Sequence, residues 1–143
     1  MGELAARAEQ KAVAKYLSQT EAIDKYVINF KSAINERLQR IFTGLKQMTN
    51  EGFRVDAIAP EAAIYLTIQI EYAGKKTVGG KLLTTQADVT LYVLEEAKIA
   101  VVPFYAFGAS SESSWYRLSV GTCKKEEIDE MLGALKNALG KLI

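Results

Sequence analysis

The sequence predicts an α+β fold, a small domain with a three- to four-stranded antiparallel or mixed sheet covered by helices and preceded by a long inter-domain helix. Three observations predict it. Apolar residues recur at steps of three and four up to Asn50 and again near the C-terminus. Between them the period falls to two in short runs. Helix caps and Gly or Pro breaks fall where the period changes.

Leu4 to Leu17 is rich in Ala, Glu, Lys, Gln and Arg, with Leu4, Ala8, Ala12 and Tyr16 on one face, and reads as a first helix. Ser18 and Thr20 interrupt it as cap-type residues. From Thr20 to Asn50 the apolar positions Ile23, Val27, Phe30, Ile34, Leu38, Ile41, Leu45 and Met48 continue the helical step. This helix is about 46 Å long at its ordinary rise, longer than the roughly 37 Å width of a compact chain of this size. Phe53, Val55 and Ala57 then alternate with other residues as a short strand before Pro60. Ala63 to Glu71 is a second strand, with Ile64, Leu66, Ile68 and Ile70 on the buried face and Tyr65, Thr67, Gln69 and Glu71 on the polar one. Gly74-Lys-Lys76 and Gly79-Gly-Lys81 form a loop, and Thr85-Gln-Ala-Asp88 is a capping box opening a helix to about Ala97. That helix buries Val89, Val93, Leu94 and Ala97. Lys98 to Val102 reads as a strand ended by Pro103, and Phe104 to Ser114 as a loop that begins apolar. Trp115 to Val120 is the next strand, and Thr122 caps a last helix carrying Ile128, Met131, Leu132, Leu135 and Leu139 to a stop near Gly140.

Composition excludes much chemistry. The 143 residues hold 18 Lys and Arg against 17 Asp and Glu, no His and one Cys. Serine–histidine or cysteine–histidine catalysis within the chain is therefore impossible, as are His-ligated metal sites and an internal disulfide. A net charge of +1 gives no footprint for nucleic acid or an anionic membrane. No apolar run approaches the ~20 residues of a membrane span, and neither a signal peptide nor a metal motif is present, which points to the cytoplasm.

Most chemical candidates read better as ordinary structure. Gly79 and Gly80 fit neither a phosphate loop nor a dinucleotide fingerprint. Thr43-Gly-Leu-Lys46 and Thr122-Cys-Lys-Lys125 place a hydroxyl three residues before a lysine, yet both lysines read as solvated helix charges. Cys123, at an expected helix start, has no base to activate it. Arg117 differs. It sits in the middle of the apolar and hydroxylic strand Trp115-Tyr-Arg-Leu-Ser-Val120, where a guanidinium suits bidentate recognition of a planar carboxylate. The competing reading is an exposed strand arginine paired with a surface acid.

Glu95-Glu-Ala-Lys-Ile-Ala-Val-Val-Pro-Phe-Tyr-Ala-Phe-Gly108, then Tyr116-Arg-Leu-Ser119 and Lys124-Lys-Glu-Glu-Ile128, closely resemble the C-terminal segment of fold-type I pyridoxal-phosphate-dependent aminotransferases of class I/II, aspartate aminotransferase-like. Pro60-Glu-Ala-Ala-Ile-Tyr65 resembles that family's Pro-x-Gly-x-Phe/Tyr phrase, and the long helix resembles the one joining its two domains. Phe104 stands where the family has Gly after Pro103, and Ala62 or Ala63 where it has Gly before Tyr65.

The resemblance implies that residues 1–18 are the last helix of a large domain, 19–50 the bridging helix and 51–143 the small domain. It implies that Arg117 holds the substrate α-carboxylate and that Phe107 and Gly108 belong to a mobile loop closing over the substrate. The full-length enzyme would be a homodimer using pyridoxal 5'-phosphate to move an amino group between an amino acid and a 2-oxo acid. The family's large domain and its Schiff-base lysine are not in these residues, so no catalytic or cofactor-binding residue is expected here, no cofactor bound to this chain alone, and no activity. The apolar seam from Ile23 to Met48 outreaches the small domain, so part of it would be left uncovered without the large domain, which predicts self-association or a swap of the N-terminal helices. The rivals are a stand-alone anion- or amino-acid-binding regulatory module, with Arg117 binding without catalysis, and an oligomerisation domain using the long helix.

Overall fold

The computed structural model describes residues 6–143, so Leu4 of the expected first helix lies outside them. The chain divides into two compact units, one reaching to Ala33 and the other running from Ile34 to Ile143. The boundary falls inside the long helix.

In the first unit α1 spans Arg7–Leu17 and has no buried residue. It ends at Ser18, whose hydroxyl donates to the Lys15 carbonyl at 2.7 Å. The long helix, α2, spans Thr20–Asn50, and its buried residues begin only at Ile34. Tyr26, Ile28 and Phe30 are exposed, and the rings of Tyr26 and Phe30, one turn apart, stack with centroids 6.0 Å apart.

In the second unit Ile34, Leu38, Ile41, Leu45 and Met48 bury the remaining stripe of α2. Gly52, at φ +93°, takes the left-handed turn that ends it, and the Phe53 N–H returns to the Met48 carbonyl at 3.0 Å. Then follow β1 (Val55–Ala57), β2 (Tyr65–Ile70), α3 (Gln86–Ala97), β3 (Val102–Pro103), β4 (Trp115–Ser119) and α4 (Ile128–Gly140). The four strands form one sheet in the order β1-β2-β4-β3, and every adjacent pair is antiparallel. Leu66, Ile68 and Ile70 of β2 and Tyr116 and Leu118 of β4 are buried with the apolar stripes of α2, α3 and α4 in one core. Each fully buried aliphatic side chain contributes about 1.5–3 kcal/mol relative to exposure. A Cβ on Gly44 of α2 would lie 2.3 Å from Leu132 Cδ1 of α4, so the missing side chain is what lets Leu132 seat there.

The capping box forms as expected. Thr85 Oγ1 accepts from the Asp88 N–H, and the Asp88 carboxylate accepts from the Thr85 N–H. These bonds hold the Asp88 carboxyl below the usual carboxylate range, the Thr85 backbone N–H first.

Four expectations are corrected. Lys98 to Val102 is not a strand, because Lys98, at φ +59°, caps α3 in the left-handed conformation and only Val102 and Pro103 pair with β4. Pro103 continues that edge strand rather than ending it, since an edge position needs no donor on its open side. In α3, Leu94 is 46% exposed, and Tyr92 and Gln86 take the interior with Val89, Val93 and Ala97. Thr122 does not cap the last helix, because a 3₁₀ turn (Lys125–Glu127) precedes α4 and Glu127 holds the cap position without a side-chain bond.

Candidate functional site

The register of β4 sets the site. Arg117 lies opposite Thr67 of β2 and Val102 of β3, and Tyr65 lies opposite Ser119. Because alternate residues point to opposite faces, burying Tyr116 and Leu118 turns Arg117 outward, and Tyr65 becomes its diagonal neighbour on that face. The Val120 N–H bonds the Ile64 carbonyl at 3.0 Å, fixing where β2 begins.

The chain enters β2 through Ala63 at φ +61°. The turn before Tyr65, where the resemblance implies a glycine, is therefore left-handed on a residue with a Cβ. Phe104 raises no such difficulty. It opens a 3₁₀ turn, Phe104–Phe107, and Ala63 and Lys98 are the described non-glycine residues at positive φ. That turn ends in Gly108 at φ +90°, whose N–H returns to the carbonyls of Phe104 and Tyr105. A Cβ there would meet nothing within 4 Å, so glycine is needed for its backbone conformation alone. The turn presents Phe107, which is 56% exposed and meets Phe104 edge to face at 6.4 Å.

These elements converge on one guanidinium. Arg117 Cζ lies 4.4 Å from the centre of the Tyr65 ring and 4.5 Å from that of Phe107. Each such contact contributes about 0.5–1 kcal/mol at an exposed site. Among the described residues Arg117 has no ion pair and no side-chain hydrogen bond, so the reading as a surface ion pair is not what the fold builds. Two rings flank the charge, and its N–H groups have no acceptor among the described residues, so they are unspent on protein partners.

Behind this face the sheet is braced. The Tyr116 hydroxyl donates to Gln86 Oε1 at 2.8 Å, and Gln86 Nε2 donates to the Glu112 carbonyl at 3.5 Å. Burial pushes the Tyr116 hydroxyl up to about 12. Gln69 Nε2 donates to Ser114 Oγ at 3.0 Å, tying the end of the loop to β2.

Strand chemistry selected Arg117, and the resemblance added Phe107 and Gly108; the structure sets Phe107 beside Arg117 and makes Gly108 the end of the turn that carries Phe107. Sequence reasoning missed Tyr65 as a partner. Strand alternation had put Tyr65 on the polar face, but only the register of β2 against β4 puts it beside Arg117. The discarded candidates lie elsewhere. Lys46 is not simply solvated, since its Nζ meets Asp56 at 2.5 Å and holds that carboxyl below the usual range. Lys125 pairs with Glu36. Cys123 is not at a helix start, and burial pushes its thiol up rather than favouring thiolate. Among the described residues no lysine is buried, no His, Cys, Asp and Glu cluster could hold a metal ion, and no helix is long and apolar enough to cross a membrane.

Residues 4–135 match the family model for aminotransferases of class I and II. A probable aspartate/prephenate aminotransferase of Rickettsia bellii is 40% identical over 84 residues, which are 58% of this chain and 20% of that protein. The crystal structure of the aspartate aminotransferase from Rhizobium meliloti superposes with a TM-score of 0.69 at 30% identity, covering 82% of this chain and 28% of that one. A Pyrococcus structure, protein A1, shares the fold with a TM-score of 0.71 at 24% identity over 92% of this chain and 29% of its own. The chain spans about a fifth of the length of the curated relatives it matches.

Proposed function

The chain belongs to the class I and II aminotransferase family, and on that premise we propose that it is the small-domain part of an enzyme that moves an amino group between an amino acid and a 2-oxo acid. The observation that carries this reading is Arg117 itself, a guanidinium held over two rings with no acid among the described residues to satisfy it. A substrate α-carboxylate matches it in charge, planarity and spacing.

The family implies pyridoxal phosphate, which when bound supplies the electron sink for bond changes at the substrate α-carbon. The residues described here do not fit that group. A lysine able to join it needs a desolvated amine, and every described lysine is exposed or half-exposed. In our reading this chain's part is therefore recognition. Arg117 fixes the carboxylate and with it the orientation of the α-carbon. Phe107, on the turn closed by Gly108, covers the guanidinium and moves with the loop as substrate enters. Residues 1–18 close a large domain, 19–50 bridge to it and 51–143 form the small domain of a cytoplasmic homodimer. The 143 residues alone are inert. The same unsatisfied guanidinium supports one second reading, a module that binds an amino acid or anion without catalysis.

An amino-transfer assay separates the two. A polypeptide of the relatives' length ending in this chain, given pyridoxal phosphate, aspartate and 2-oxoglutarate, should form oxaloacetate and glutamate. Failure to transfer from aspartate, glutamate and alanine alike, in a folded protein, would reject the enzyme reading.

A further inference from the structure

We propose that Tyr65 is a positioning residue for Arg117, holding the guanidinium so that its N–H edge, and not its face, meets the carboxylate. This rests on the reading of Arg117 as the carboxylate holder. An unpaired arginine samples many rotamers, and a ligand that must first immobilise it loses affinity to that ordering. The ring of Tyr65, 4.4 Å from Cζ, restricts the guanidinium before any ligand arrives. A ring face attracts the delocalised charge without consuming the in-plane N–H groups, so the side chain is held while its donors stay available.

The two rings over Arg117 differ in how they are held. Phe107 stands on an exposed 3₁₀ turn closed by a glycine. Tyr65 is part of the ladder, opposite Ser119 in a central strand. Tyr65 is thus the fixed ring, and it acts through its face, since its hydroxyl makes no hydrogen bond to any described residue. Phenylalanine should replace it without loss, and an aliphatic side chain should not.

The test uses the full 143-residue chain, nitrogen-15 labelled, with pyruvate as the probe. The Nε–Hε resonance of Arg117 is identified by its disappearance in Arg117→Lys. In the wild type this resonance should lie upfield of free arginine through the ring currents, and nuclear Overhauser contacts should join the Tyr65 ring to Arg117. Pyruvate should shift the resonance saturably. Tyr65→Phe should reproduce both properties. Tyr65→Leu should return the resonance toward the free position and raise the dissociation constant for pyruvate about two- to fivefold, with the backbone spectrum otherwise retained.

A Tyr65→Leu protein that binds pyruvate like the wild type overturns the proposal and leaves the carboxylate reading standing. A wild type whose Arg117 resonance ignores pyruvate overturns that reading, and the proposal with it. If Tyr65→Leu does not fold, the wild-type contacts decide, since their absence with pyruvate bound overturns the proposal.

Discussion

The Tyr116 hydroxyl and the Gln86 side-chain oxygen are 2.8 Å apart, and both side chains are buried. The bond joins β4 to the first turn of α3, directly behind the residue that carries Arg117 outward. Removing the hydroxyl strands Gln86 Oε1 in the interior, and such a loss costs about 1–3 kcal/mol. Tyr116→Phe should lower the unfolding free energy measured in urea by that amount, moving the midpoint to lower urea, while the circular dichroism spectrum is kept. The same tyrosine sets a sign in alkali. Its folded value of about 12 lies above the ordinary 10.0, so its contribution is complete below pH 10 and is lost as the pH rises toward 12. Urea midpoints across that window should fall less steeply for Tyr116→Phe than for the wild type, and parallel slopes would contradict the assignment.

Ala63 carries a left-handed backbone at φ +61°, a conformation that glycine adopts without a Cβ clash. Ala63→Gly should therefore stabilise the chain by about 0.5–1 kcal/mol, a rise of a few degrees in Tm. The entry into β2, and so the place of Tyr65, should stay unchanged. A lower Tm would show that the turn at Ala63 is relaxed.

The ends of α2 and the alternation of β2 were legible because each rests on local chemistry: the cap-type residues Ser18 and Thr20, the second of which opens the helix, glycine at Gly52, and apolar side chains at every second position from Ile64. β3 was not. Ile99 and Val101 are buried and Ala100 is exposed, so an irregular buried segment shows the same apolar pattern as a strand, and only the pairing of Val102 and Pro103 tells them apart. In α3, Leu94 looked like core by hydropathy, while Tyr92 takes the interior because its hydroxyl reaches the Ala138 carbonyl at 2.8 Å. The arginine was legible as a charge out of place in an apolar strand. Its aromatic neighbour was not, since contact across strands depends on register, which the period alone does not set.

The long helix offers a further prediction. Its buried residues begin at Ile34, and Tyr26, Ile28 and Phe30 are respectively 60%, 67% and 48% exposed. Amides from Thr20 to Ala33 should exchange hydrogen faster than those from Leu38 to Met48 at low concentration. The apolar seam is expected to draw copies together as concentration rises, slowing exchange in that first stretch. Sedimentation showing a strict monomer at high concentration, with uniform protection along α2, would contradict this.

The central claim is that Arg117 holds a substrate carboxylate by two charge-assisted bonds. The most direct measurement is kcat/KM of the full-length enzyme and its Arg117→Lys variant on one amino acid and on one amine lacking a carboxylate, beside a thermal melt. Lysine keeps the charge and loses the fork, which should remove on the order of 2–4 kcal/mol of transition-state stabilisation, about 30- to 1000-fold in kcat/KM, for the amino acid. The amine should be nearly indifferent, and stability should change by at most ~1 kcal/mol, since no described acid depends on Arg117. Equal losses on both substrates, or unchanged kinetics on both, would contradict the account.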